Sequence, residues 1–274
     1  MKTDTSTADI RAHFGFSTLP FTREIRVEDL WNSPAFDEPL RDLEATLTER
    51  MSAVLIAPAG AGKTALLRAL IARLPEARNR VHYVKVTSLS KRDMCREIAQ
   101  AVGLAASGSY PTLVRRLEER FDKTYAEDGL RPILVVDEAH DLRPEVLATL
   151  RILTNFDMDS RLVLSVVLAG QPLLMKLLRR DELEAVSQRI AHVSTLRLLS
   201  RSETESYMQH RTTVAGARTL PFDPPAVEAI YEVARGNLRA TDHLCFKALE
   251  LAAQSRAPVV NASLVTAARK KLLP

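Results

Sequence analysis

The stretch VLIAPAGAGKT, residues 54–64, decides the fold of this 274-residue chain. Its apolar start predicts a buried strand, and the sequence KTALLRALIARL that begins at Lys63 predicts a helix. The turn between them fits the phosphate-binding loop, with Ala57 in place of the usual first glycine. Gly60 and Gly62 let the backbone curl so that its N–H groups point inward, next to the positive end of the helix. The stretch therefore predicts a site for a nucleoside triphosphate.

Each residue type in this turn suits a role in phosphate binding. We expect backbone N–H groups along the turn to contact phosphate oxygens, and Lys63 to place a mobile positive charge on the outer phosphates. Thr64 offers a hydroxyl to Mg²⁺. The predicted cofactors are thus ATP and Mg²⁺, and the predicted binding residues of the turn are Ala59, Gly60, Ala61, Gly62, Lys63 and Thr64.

A second motif, PILVVDEAH at residues 132–140, follows the same logic. A buried strand here delivers Asp137 and Glu138 at its carboxyl end, where magnesium-assisted phosphoryl transfer needs acidic groups. We expect Asp137 to hold Mg²⁺ and Glu138 to polarise the attacking water. An acidic cap on a strand is the plainer interpretation, but the phosphate loop upstream favours hydrolysis.

Predicted strands and helices alternate along the first two thirds of the chain. RVHYVKVT and RLVLSVVLAG are further strands, and helical patterns separate them. Such alternation is typical of an α/β fold with a mostly parallel sheet that helices flank on both faces. After about residue 199 only helical patterns follow. The predicted division is an N-terminal arm at 1–36, an α/β nucleotide-binding domain at 37–198 and a small all-helical domain at 199–274.

Composition narrows the class of protein only slightly. The net charge of +4 is compatible with a polyanionic partner without demanding one. The cysteines, Cys95 and Cys245, lie within helical apolar patterns and are expected to be small buried residues in a reducing compartment. No apolar run reaches the roughly 18 residues of a membrane helix, and the first residues lack the apolar stretch of a secretory signal. We expect a cytoplasmic protein with no membrane contact.

The motifs together resemble a known family. APAGAGKT, VVDEAH, LAGQPLL, SQRI and GNLRATDHL occur in the order and spacing of AAA+ ATPases. They are most similar to the branch that holds ExeA-type ATPases and the transposition regulators TnsC, TniB and MuB. FGFSTLPF in the arm also resembles the opening of ExeA-like proteins. Leu238 departs from the family, which usually has proline before the arginine of the last motif. The resemblance implies an AAA+ P-loop fold followed by a helical lid domain.

The resemblance also implies roles for three residues. Gln171 occupies the sensor-1 position, where it would orient the lytic water or touch the γ-phosphate; a polar helix start is the alternative. Arg189 matches the arginine finger that reaches the nucleotide of a neighbouring subunit, with Arg179 and Arg180 as competitors and a surface salt bridge as the plainer possibility. Arg239 matches sensor 2 on the lid.

An arginine finger implies a homo-oligomer, either a ring or a helical filament. By resemblance, the chain is an ATP-dependent, DNA-binding transposition regulator that assembles on duplex DNA without strong sequence preference. Its implied partners are a transposase and a target-selector protein. The alternatives are an ExeA-type secretion or cell-wall accessory ATPase and an initiator-like signalling ATPase that does not act on DNA. The DEAH tetrad also occurs in helicases, but we do not expect a helicase, because those need a second RecA-like domain and only helical patterns follow here.

The residues that could contact DNA are indicated less clearly by the sequence than those of the nucleotide site. Lys91 and Arg92 begin a helix after the second strand and could form a phosphate clamp, or simply a solvated first turn. Ser109 and Tyr110 are a weaker second candidate. The C-terminal residues Arg269, Lys270 and Lys271 form either a solvated helix end or a docking point for a partner. In the arm, three phenylalanines could wall the adenine or pack in a core; these are Phe14, Phe16 and Phe21.

Overall fold

A computed structural model describes residues 10–272 and divides the chain into two compact units. The α/β unit contains Phe36–Pro58 and Lys63–Leu196. The helical unit contains the described residues up to Ala35, the loop tip Ala59–Gly62 and the chain from Arg197 onward. The tip of the phosphate loop therefore belongs with the helices, although Lys63 belongs with the sheet.

The α/β unit is built on five parallel strands in the order β2-β3-β4-β1-β5. Three central strands are almost wholly buried, which explains their continuous apolar sequences. The α/β fold predicted from the sequence is confirmed. The strands are β1 (Ser52–Ile56), β2 (Asn79–Lys85), β3 (Arg131–Asp137), β4 (Ser165–Gly170) and β5 (Ile190–Thr195).

The edge strand β5 was absent from the sequence prediction. Its residues alternate between half-buried and exposed positions, and only Ser194 is fully buried. Because His192, Ser194 and Thr195 interrupt it, the segment lacks the apolar run of its neighbours. Pairing with β1 stabilises it as a strand.

Helices cover the sheet of the α/β unit. Serine side chains cap two of them: Ser90 accepts from Asp93 N–H and Ser109 accepts from Thr112 N–H. Cys95, on the helix that Ser90 caps, is fully buried in the core. The helices of this part of the chain are α1 (Pro34–Thr48), α2 (Lys63–Arg73), α3 (Lys91–Ala101), α4 (Tyr110–Ala126), α5 (Pro144–Leu147), α6 (Thr149–Leu153), α7 (Leu173–Leu178) and α8 (Glu184–Ser187).

Within residues 197–272, the helical unit contains four further helices, each with a side-chain N-cap. Ser200 and Glu203 form a reciprocal capping box, and Asp223 caps a helix that starts with Pro224. Asn237 and Asn261 cap the last two helices. The helices are α9 (Arg201–Val214), α10 (Pro224–Ala234), α11 (Leu238–Ser255) and α12 (Ala262–Lys271).

The N-terminal segment is part of this helical unit. Ile10, Phe16 and Phe21 are buried in its core, and Phe14 packs against them. Of the two possibilities for the phenylalanines, the structure shows core packing. Residues 1–9 of the predicted arm lie outside the described residues. No helix within residues 10–272 is both long and apolar enough to cross a bilayer.

Candidate nucleotide site

The carboxyl ends of three adjacent strands carry the predicted motifs. Strand β4 lies between β3 and β1, so the residues that follow these strands meet at one edge of the sheet. Ala57 N–H, where the phosphate loop begins, donates to Gly170 O at 2.9 Å. Asp137 ends β3, and Gln171 follows β4. The fold thus gathers at one edge the residues that are separated in sequence.

The central feature of this edge is a buried ionic cluster of Lys63, Asp137 and Glu138. Lys63 Nζ donates to Asp137 Oδ1 and lies 3.0 Å from Glu138 Oε1. The side chains of Lys63 and Asp137 are 9% and 1% exposed. A charged group is costly to bury unless a partner of opposite charge lies beside it, and the cluster supplies such partners. The cluster therefore holds a lysine charge at the start of α2, where the loop would present phosphates.

Tyr83 completes the environment of Asp137, and the sequence analysis missed it. Its hydroxyl donates to Asp137 Oδ2 at 2.9 Å. Burial, and then the hydrogen bond to Asp137, raise the pKa of Tyr83, so the hydroxyl remains a donor at neutral pH. The pairing of Tyr83 with Val135 across β2 and β3 sets this contact. Only that register could have identified the residue.

Glu138 sits in a strained backbone conformation. Its φ of +60° lies in the left-handed region, which costs a non-glycine residue about 1–3 kcal/mol. The carboxylate is 27% exposed, and its Oε2 lies 3.4 Å from Nδ1 of the buried His140. The same Nδ1 accepts from the backbone N–H of Gln171 at 3.4 Å. His140, also missed from sequence, thus stands between the predicted water-activating residue and the predicted sensor.

At the tip of the loop, backbone carbonyls face the start of α11. Ala59 O accepts from Asn237 Nδ2 at 2.6 Å, and Gly60 O accepts from Arg239 N–H at 3.2 Å. A Cβ on Gly60 would lie 2.3 Å from Asn237 Oδ1, and the φ of Gly60 is +79°. Both facts require glycine here. The side chain of Arg239 is exposed.

Arg189, the predicted arginine finger, is engaged within its own chain. Its Nη2 lies 2.6 and 2.5 Å from the two carboxylate oxygens of Asp159, and its Nη1 donates to Ala185 O at 2.8 Å. The competitor Arg180 lies 3.4 Å from Glu182. An Arg189 that reaches a neighbouring subunit must first exchange Asp159 for a new anionic partner.

The candidate DNA contacts lie in one region of the α/β unit. Lys91 and Arg92 are exposed in the first turn of α3. Arg92 Nε donates to Gly108 O at 3.0 Å, which joins this turn to the segment before Ser109. Tyr110 is instead partly buried, packs against the core and lies 3.4 Å from Thr149 Oγ1. The first turn of α3 remains the better candidate.

The residues present fit ATP and Mg²⁺. Thr64 is exposed beside the buried Lys63, and Asp137 ends the neighbouring strand. Among residues 10–272, no three His, Cys, Asp or Glu side chains cluster as a metal cage. Mg²⁺ suits such a setting because it binds through one or two protein oxygens plus phosphates and water. Thr64 and Asp137 are the residues that would hold it.

Comparison with known proteins supports the same assignment. Residues 46–178 match the model of the AAA domain family. The General secretion pathway protein A of Aeromonas hydrophila is 32% identical over 239 residues, which cover 86% of this chain and 43% of that protein. The chain therefore spans less than half the length of this curated relative.

Solved structures share the fold at low sequence identity. The Aeropyrum pernix ORC1 protein, solved in complex with DNA, has a TM-score of 0.70 at 22% identity, over 91% of this chain and 68% of that one. Cdc6p from Pyrobaculum aerophilum has a TM-score of 0.74 at 18% identity, over 92% and 70%. The RuvB Holliday junction branch migration motor of Thermotoga maritima has a TM-score of 0.59 at 18% identity, over 91% and 72%.

Proposed function

We propose that this ATPase, which has the fold of AAA+ P-loop ATPases, is an ATP-driven switch that assembles on duplex DNA. The observation that carries the ATPase assignment is the buried cluster of Lys63, Asp137 and Glu138 at the edge where β1, β3 and β4 end. Its charges match the needs of phosphoryl transfer, which is catalysed by positioning and electrostatics.

Each residue of the cluster has a defined part in the proposed hydrolysis. Lys63 neutralises the outer phosphates of ATP, and Glu138 orients and polarises the attacking water. Asp137 and Thr64 would hold Mg²⁺, and the ion would supply positive charge to offset the negative charge that develops on the phosphates. The hydroxyl of Tyr83 fixes the second oxygen of Asp137, so that the carboxylate keeps one orientation.

We propose that hydrolysis depends on assembly through Arg189. The ion pair with Asp159 holds this arginine near the surface, with its side chain 24% exposed. In a head-to-tail assembly Arg189 would exchange Asp159 for the γ-phosphate of the neighbouring copy. Gln171 and Arg239 are proposed as the residues that sense the γ-phosphate from within the same chain.

A mixing experiment tests the shared site. Glu138→Gln and Arg189→Ala are each expected to lack ATPase activity when pure. A 1:1 mixture forms some sites with an intact Glu138 from one copy and an intact Arg189 from the next, so it should regain roughly a quarter of the wild-type rate. A mixture as inactive as its components would show that Arg189 does not act across copies.

The proposed ligand of the assembled state is duplex DNA, contacted by Lys91 and Arg92. Both are exposed at the N-terminus of α3, where two cations and helix N–H groups favour phosphate. Such contacts do not read base sequence, and binding should weaken with salt as counterions are released. The ORC1 protein, which shares this fold, was solved in complex with DNA, so the fold is compatible with DNA binding.

More specifically, we propose a transposition regulator that assembles on DNA with ATP and recruits or activates a transposase. The order and spacing of its motifs support this function. Action on DNA would place the chain in the cytoplasm. Electron microscopy with a non-hydrolysable ATP analogue should show rings or filaments only when duplex DNA and nucleotide are both present. DNA binding that is independent of ATP would contradict the proposal.

A secretion accessory ATPase is the second candidate, because the Aeromonas hydrophila relative is a general secretion pathway protein. Duplex DNA separates the two functions. A DNA-acting switch should hydrolyse ATP faster when DNA is added at low salt, and the Lys91→Ala/Arg92→Ala double variant should lose that stimulation. An ATPase rate that ignores DNA favours the secretion function.

A further inference from the structure

The tip of the phosphate loop is held by Asn237, a residue of the GNLRATDHL motif to which the sequence analysis assigned no role. Asn237 lies just before α11, and its side-chain amide uses both ends. Oδ1 accepts from Ala240 N–H at 3.1 Å, which caps the helix, while Nδ2 donates to Ala59 O at 2.6 Å. Only this orientation of the amide satisfies both partners, because one is a donor and the other an acceptor.

A second hydrogen bond holds the next carbonyl of the loop. The backbone N–H of Arg239 donates to Gly60 O at 3.2 Å. Two consecutive carbonyls at the tip are thus held by the start of one helix. The missing Cβ of Gly60 is what allows Asn237 to come this close.

Because each peptide is planar, a hydrogen bond that fixes a carbonyl also fixes the direction of the N–H group in the same peptide. The C=O of Ala59 and the N–H of Gly60 belong to one planar trans peptide and point in opposite directions, as do the C=O of Gly60 and the N–H of Ala61. Fixing the two carbonyls on one side therefore fixes two N–H groups on the other. These are among the N–H groups that the proposed site needs for phosphate.

We propose that Asn237 is a positioning residue that preorganises the phosphate loop, and that it links the loop to the start of α11. A loop whose peptides are already oriented binds phosphate without a further loss of backbone entropy. Because the same side chain caps α11, a loop that moves with its nucleotide also moves the first turn of the helix, which carries Arg239. The inference rests on the proposed nucleotide site.

The chain offers a matched pair of variants for the test. Asn261 caps α12 as Asn237 caps α11, with Oδ1 accepting from Leu264 N–H at 3.0 Å. Serine is also a good N-cap, so Asn237→Ser and Asn261→Ser should each lower thermal stability only slightly. Only Asn237→Ser loses a donor to the phosphate loop. Asn237→Asp, an equally good cap without the donor, is the substitute if the serine variant unfolds.

The measurement is the affinity and dissociation rate of a fluorescent ADP analogue. Asn237→Ser should bind it about 3- to 10-fold more weakly, mainly through faster dissociation, which is the range expected for one lost hydrogen bond. Asn261→Ser should bind like wild type. Normal binding by Asn237→Ser, or an equal loss in Asn261→Ser, would overturn the inference alone. A wild-type chain that bound no ADP would overturn the proposed site as well.

Discussion

Each unit of the molecule contains a buried ionic cluster, and the two clusters differ in how completely they are satisfied. In the helical unit, Arg211 Nη1 lies 3.2 Å from both carboxylate oxygens of Asp242 and donates to the hydroxyl of Tyr207 at 2.6 Å. That hydroxyl donates to Asp242 at 2.7 Å, and Arg211 Nη2 donates to Thr22 O at 2.7 Å. This network is closed, because its partners all come from within the unit.

The cluster of Lys63, Asp137 and Glu138 has similar chemistry but is left open. Glu138 is partly exposed and held in a left-handed conformation, and Lys63 is shared between two carboxylates. A closed network fixes a fold, whereas an open one can exchange partners with a ligand. The comparison teaches that burial of a charge alone does not identify a functional site. Strain and residual exposure do.

The largest expected effect on folding comes from opening the closed network. Arg211→Met leaves Asp242 buried without its cation and should lower the free energy of unfolding by about 3–5 kcal/mol. Thermal unfolding measures this loss. The Arg211→Met/Asp242→Leu double variant should recover part of it, because no unpaired charge remains. A double variant as unstable as the single one would argue against a paired network.

In the open cluster, loss of the cation should weaken ligand binding. Lys63→Ala is expected to weaken ATP binding at least about 100-fold, because it removes the only full charge in the loop aimed at the phosphates. Calorimetric titration with ATP and Mg²⁺ measures the loss. Arg211→Met, studied below its melting temperature, serves as the control and should retain most of its affinity. Comparable ATP affinities for Lys63→Ala and wild type would show that Lys63 does not contribute to ATP binding.

A smaller effect should come from Tyr83→Phe, which removes one donor to Asp137 and nothing else. Loss of a partner that orients a metal ligand typically costs about 10-fold or more in activity, so the ATPase rate should fall by that factor. Thermal stability should fall by no more than about 1.5–3 kcal/mol, which is what one hydrogen bond to a charged group contributes. Steady-state kinetics with Mg²⁺ in excess provide the test. An unchanged rate would mean that Asp137 needs no such support.

The smallest effect concerns the pair of the half-buried Glu203 and the exposed Arg197. The hydrogen bonds from Arg197 lower the pKa of Glu203 from 4.5 to about 2. A lowered folded-state pKa contributes stability above pH 4.5, and that contribution is lost as the pH falls toward 2. Glu203→Gln should therefore be about 1 kcal/mol less stable than wild type at pH 7, with a narrower gap at pH 3. Melting temperatures across this range would show whether the gap stays constant.

Most of the α/β fold could be predicted from the sequence, because central parallel strands are continuous apolar runs and the phosphate loop has a distinctive glycine pattern. It could not supply β5, whose alternating residues become a strand only by pairing with β1. The sequence also could not predict the roles of Tyr83, His140 and Asn237. Each acts through a contact between distant segments, and only strand register or helix placement brings those segments together.

The central claim is that Glu138 activates water for ATP hydrolysis beside Lys63 and Asp137. The most direct measurement compares ATP binding and single-turnover hydrolysis in wild type and Glu138→Gln. We expect the variant to bind ATP with near wild-type affinity and to hydrolyse it at least about 100-fold more slowly, since glutamine keeps the shape but not the charge that polarises water. Hydrolysis by Glu138→Gln at the wild-type rate would contradict the account.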